Sequence, residues 1–82
     1  MHEIGIAKGI LKKVLEAANA TKKSRKVTGI KIKAGIGDML SLDSLQFAFT
    51  RLAKDTPAEG AKIELEEFEG TGISIGSVEL ED

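Results

Sequence analysis

Eighty-two residues suffice for one small domain, and a chain of this size buries roughly 60% of the surface it exposes when unfolded. Twelve basic residues against 13 acidic ones, with only 4% aromatics, provide neither the positive field nor the stacking rings of a nucleic-acid module. The absence of cysteine removes disulfides and thiolate metal sites, and no apolar run is long enough to span a bilayer or act as a signal segment, so a cytoplasmic location is expected.

The chain opens on an apolar-periodic segment from Ile4 to Ala18. Ile4, Ala7, Leu11, Val14, Leu15 and Ala18 recur at three-and-four spacing, while Lys8, Lys12, Lys13 and Glu16 fall elsewhere, which predicts an amphipathic helix. Gly5 and Gly9 lie inside it and either weaken its first turns or permit close approach to a sheet. The polar run Asn19 to Lys23 ends the helix.

From Thr28 the period changes to two. Thr28, Ile30, Ile32, Ala34 and Ile36 share one parity against Gly29, Lys31, Lys33 and Gly35, the pattern of a half-buried strand. Gly35-Ile36-Gly37-Asp38 reads as a flexible turn; its glycines lack the Gly-Lys-Ser/Thr continuation of a phosphate cradle. Ser41 and Asp43 are both possible N-caps, Asp43 with Gln46 resembling a capping box, and Leu45, Ala48, Phe49, Leu52 and Ala53 follow at helical spacing up to Lys54. Phe47 and Phe49 cannot share a helix face, so one of them lies at the edge or forms a contact surface. Pro57 stops the helix.

Ala61, Ile63 and Leu65 alternate with Lys62, Glu64 and Glu66, and the alternation slips at Glu67-Phe68. Ile73 and Ile75 alternate, slip at Gly76-Ser77, and resume at Val78 and Leu80. With the short Gly70-Thr71-Gly72 join, these two strands predict an antiparallel hairpin with a bulge or strong bend. The fold class expected is α+β, two helices on one face of a three-stranded mixed sheet, in the order helix, strand, helix, strand, strand with a C-terminal hairpin. The other face then shows Lys31, Lys33, Lys62, Glu64, Glu66 and Ser74.

The most distinctive chemistry lies in Met1-His2-Glu3, which contains the chain's single histidine. An α-amine, the backbone nitrogen and imidazole of His2, and a nitrogen or carboxylate of Glu3 can close fused chelate rings on one ion. Such nitrogen-rich, square-planar sets suit Ni(II) or Cu(II) better than tetrahedral Zn(II). Histidine is too large for removal of the methionine before it, so Met1 is expected to remain and supply the amine.

Several runs together resemble the HypA/HybF family of hydrogenase nickel-incorporation proteins. They are Met1-His2-Glu3 before the amphipathic helix, Asp43 through Phe49, Ala58-Glu59-Gly60-Ala61 leading into Ile63-Glu64-Leu65-Glu66-Glu67, and the closing strand Ile73 to Glu81. The resemblance implies Ni(II) bound through Met1, His2 and Glu3, and a metallochaperone that delivers it during maturation of nickel–iron hydrogenase. It implies as partners the nickel-handling GTPase HypB and the hydrogenase large-subunit precursor. The family also carries a zinc-binding region with paired Cys-x-x-Cys motifs between its last two strands, where this sequence has only Glu69-Gly70-Thr71-Gly72. Zinc is therefore not expected, and residues 1–82 read as a single nickel-binding domain with that insertion replaced by a short turn near 70–72.

The alternative reading is a protein-interaction module docking on maturation partners without metal transfer of its own. Its candidate features are the basic cluster Lys22, Lys23, Arg25 and Lys26, the acidic run Glu64, Glu66, Glu67 and Glu69, and Phe47. An enzyme is disfavoured, because no nucleophile and base pair stands out.

Overall fold

A computed structural model describes residues 3–20 and 26–81. Met1 and His2, and Lys22, Lys23 and Arg25 of the basic cluster, lie outside the described residues. The elements are α1 (Glu3–Asn19), β1 (Lys26–Gly35), a short 3-10 turn (Ile36–Asp38), α2 (Leu42–Leu52), β2 (Lys62–Phe68) and β3 (Ile73–Glu81). Two helices and a mixed three-stranded sheet in this order make the α+β arrangement that the periodicities predict.

The strand order is β2-β1-β3, with β1 parallel to β2 and antiparallel to β3. This corrects the expected hairpin: β2 and β3 are the two edges and do not pair with each other. After Phe68 the chain passes the end of β1, where the carbonyls of Gly72 and Gly70 accept hydrogen bonds from the N–H groups of Gly35 and Gly37, both at 2.9 Å. Packing explains the order. α2 lies against β2 and α1 against β1 and β3, so two helices side by side need a floor with β1 at its seam. Gly70 and Gly72, at φ 120 and 122°, allow the chain to swing across.

The core row on β1 also differs from the simple parity. Thr28 is the extra residue where the β1–β3 register shifts between Val27 and Gly29, so Val27 enters the core in its place. Ile36 lies beyond the strand and is exposed, because the segment expected to be a flexible turn coils into the 3-10 turn. Gly76 is the extra residue on β3, between the partners of Lys31 and Ile32; the slip expected at Gly76-Ser77 is this bulge. At Glu67-Phe68 there is none. β2 runs in register with β1 as far as Phe68, whose alternation with Glu67 simply places its ring on the open sheet face.

Phe49, Ile32, Leu45, Val14 and Val27 are the largest fully buried side chains, each favouring folding by roughly 1.5–3 kcal/mol before conformational entropy is subtracted. α1 buries Ala7, Ile10, Val14 and Ala18, so Ile10 belongs to its core face while Ile4 does not. A Cβ built on Gly5 or Gly9 meets nothing within 4 Å, so neither glycine serves a close approach. Lys31, Lys33, Lys62, Glu64, Glu66 and Ser74 are exposed on the open sheet face as expected.

α2 is capped by Ser41, whose Oγ accepts from the Ser44 N–H at 3.3 Å. The expected Asp43–Gln46 capping box is absent because Ser41 is the cap and Asp43 lies inside the first turn, and the Gln46 amide is used elsewhere. Its Oε1 accepts from the Ile63 N–H at 2.7 Å and its Nε2 donates to the Ala61 carbonyl at 3.2 Å, so one side chain takes the place of a neighbouring strand at the start of the β2 edge.

Candidate metal centre at the amino end

Glu3 is the one residue of the expected ligand set within the described residues. It opens α1, where its negative charge suits the positive end of the helix dipole. Its side chain is half-buried, and its Oε2 accepts a hydrogen bond from the Ser41 backbone N–H at 3.3 Å. Ser41 caps α2, so this bond joins the start of one helix to the start of the other.

Beside this junction Glu3, Ile4 and Gly5 of α1 face Asp43, Ser44, Phe47 and Ala48 of α2 across a cavity of about 610 Å³. Two carboxylates, Glu3 and Asp43, thus border one open cavity directly after Met1 and His2. Among the described residues no group of three or more His, Cys, Asp or Glu side chains is placed to hold a metal ion. What they supply is hard oxygen, and the nitrogen donors that suit nickel belong to Met1 and His2 in the sequence. Glu3, held on the Ser41 N–H, and Asp43 thus offer carboxylate oxygens at the same cavity.

Asp43 was legible in the sequence as a cap candidate; its place on this cavity depends on how α2 crosses α1, which no local pattern encodes. Phe47 is 65% exposed and Ile4 62% exposed, and together they line a second concavity with Ala48, Arg51 and Leu52. The Arg51 guanidinium lies 5.5 Å from the centroid of the Phe47 ring.

The acidic run is spread over two faces. Glu64 and Glu66 are paired in register with Lys31 and Lys33 on the open face, where Lys33 Nζ and Glu66 Oε2 are 3.9 Å apart, an exposed pair that contributes little. Glu67 is paired with Ala34, and Glu69 lies in the join. The basic and acidic runs therefore do not form one described surface. Among the described residues no helix is long and apolar enough to cross a membrane.

A model of the family described as "Hydrogenase/urease nickel incorporation, metallochaperone, hypA" matches residues 1–73, which takes in Met1-His2-Glu3 and ends where β3 begins. The chain is similar to the hydrogenase maturation factor HypA of Chlorobaculum parvum, at 40% identity over 88% of this chain and 63% of that protein. It is also similar to the hydrogenase maturation factors HypA of Archaeoglobus fulgidus, at 37% identity over 79% of this chain and 58% of the relative, and of Methanopyrus kandleri, at 35% over 80% and 46%. The chain thus spans about half to two thirds of the length of these curated relatives. The family match over residues 1–73 and relatives at 35–40% identity over most of the chain show that this chain belongs to the HypA family of nickel-incorporation metallochaperones.

Proposed function

We propose that this chain binds Ni(II) as cargo at its amino end, through the Met1 amine, the backbone nitrogen and imidazole of His2, and Glu3, and releases it to a recipient during maturation of nickel–iron hydrogenase. The observation that carries the proposal is the family match over residues 1–73, which begins on the three residues able to build a nitrogen-rich chelate. The geometry around Glu3 supports it. A side chain held on the Ser41 N–H at the head of a helix offers a carboxylate in a fixed place, beside an open cavity from which a ligand can leave.

Each part has a separate role. The amine and imidazole give affinity and selectivity for an ion that tolerates planar nitrogen coordination. Glu3 orients the approach and, with Asp43, favours a cation electrostatically. Handover proceeds by ligand exchange, with a recipient's donors replacing those of the chain one at a time. The partners proposed are the GTPase HypB and the hydrogenase large-subunit precursor, met in the cytoplasm.

The chain is further proposed to be the nickel-binding domain alone, with Glu69-Gly70-Thr71-Gly72 standing where the family carries a zinc-binding region. Two facts favour this. The sequence contains no cysteine, and the join is compact, its Gly72 N–H donating to Asp38 Oδ2 at 2.7 Å, so β3 can complete the sheet without an intervening region. Calorimetric titration with Ni(II), and in parallel with Zn(II), tests the whole reading. Tight nickel binding that is lost in His2→Ala supports it, while a His2→Ala variant that binds nickel equally well refutes it.

A further inference from the structure

Asp43, Phe47 and Arg51 are spaced four apart on α2 and all three are exposed. Residues so spaced form one inclined ridge along a helix. The ridge reads acid, ring, base, with Phe47 at its centre, and the Arg51 guanidinium 5.5 Å from the Phe47 ring shows that the two share one surface. Ile4 flanks it from α1. The helix dipole accounts for an acid in the first turn and a base in the last, but not for a phenylalanine 65% exposed between them, nor for Ile4 beside it at 62%.

A ridge with opposite charges at its ends and a ring in the middle is complementary to itself when turned end for end. We infer that α2 forms a symmetric contact with α2 of a second copy of this chain, with Phe47 on the two-fold axis and Asp43 of each copy against Arg51 of the other. Such a contact is isologous, as two-fold interfaces must be. Ridges of four-spaced residues pack into one another at a crossing angle of about −50°, which sets the two ridges side by side. Rings at the axis bury apolar area and the arginine–carboxylate pairs at the rim fix the direction, a division of roles common to protein interfaces. The second copy also covers Ile4 and part of the cavity bordered by Glu3. The contact needs no metal to form, but it shares Asp43 and the Glu3 cavity with the proposed nickel site, so its test reads association and not nickel binding.

Sedimentation equilibrium of the full chain from micromolar to millimolar concentration tests it, with circular dichroism to confirm that each variant keeps its helices. A concentration-dependent dimer is expected, abolished in Phe47→Glu. Asp43→Arg and Arg51→Asp should each be monomeric alone, because like charges then meet at both ends. Mixed in equal amounts, those two variants should form a one-to-one heterodimer, since every new charge meets its opposite across the axis. A monomeric parent chain, a dimer that survives Phe47→Glu, or a mixture of the two charge variants that stays monomeric would each overturn the inference.

Discussion

The carboxylate of Glu3 accepts a hydrogen bond from the backbone N–H of Ser41, 38 positions along the chain and 3.3 Å away. One side chain therefore ties the start of α1 to the capping residue of α2, and does so next to the residues proposed to hold nickel. Structural and metal-binding roles of Glu3 can be separated, because glutamine keeps an acceptor oxygen but loses the charge. Glu3→Gln should lower stability only by the lost charge–dipole term, about 0.3–1 kcal/mol, and weaken nickel binding. Glu3→Ala should lower stability further, by about 1 kcal/mol or less for an exposed hydrogen bond. Thermal unfolding and nickel titration of both variants check this; a Gln variant with undiminished affinity would remove the charge from the account.

Nickel binding should weaken as pH falls. Protons compete with the metal for the imidazole of His2 and for the amine and amide nitrogens of the chelate, so binding releases protons and lower pH opposes it. Titrations in buffers of different ionisation enthalpy will count those protons. Binding that is independent of pH would show that the nitrogen donors are not involved.

Gln46 bridges Ala61 and Ile63 at the β2 edge through two partly buried bonds, and its Nε2 also donates to Thr50 Oγ1 at 3.1 Å. Gln46→Leu leaves a carbonyl and an N–H without that partner, at a cost of roughly 1–3 kcal/mol. Denaturant unfolding measures the loss, and hydrogen exchange at the Ile63 amide should rise with it.

Two glycines should respond in opposite directions. Gly9 has open space around it in mid-helix, so Gly9→Ala should stabilise the fold by up to about 1 kcal/mol. A Cβ at Gly35 meets the Gly70 carbonyl and lies 2.5 Å from the Thr71 Cα, both backbone atoms, so Gly35→Ala should destabilise by more than that gain and displace the 70–72 join. Paired melting curves decide the signs.

The periodicities located all three strands and both helices, because a core covered on one face imposes a period of two on a strand and of 3.6 on a helix. Strand order was less legible. A three-residue glycine-containing join reads locally as a hairpin, and nothing local to 70–72 reveals that β1 needs a neighbour on each side. Charge does not mark the edges either: β2 carries Lys62, Glu64, Glu66 and Glu67 and β3 carries Glu79 and Glu81, but central β1 carries Lys26, Lys31 and Lys33 beside its buried Val27, Ile30, Ile32 and Ala34. Of the expected ligand set the structure describes only Glu3, whose place at the head of a helix the apolar periodicity from Ile4 onward made legible. The partnership of Glu3 with Ser41 was not legible, since it joins residues brought together only by the helix crossing.

The most direct measurement of the nickel proposal is a titration of the chain with Ni(II) beside the same chain bearing extra residues ahead of Met1. Moving the terminal amine away from His2 removes one donor while leaving the fold, Glu3 and the imidazole in place. A loss of affinity on the order of tenfold or more, with loss of the absorption and diamagnetism of planar nickel, is the result predicted. Equal affinity and an unchanged spectrum in the extended chain would contradict it.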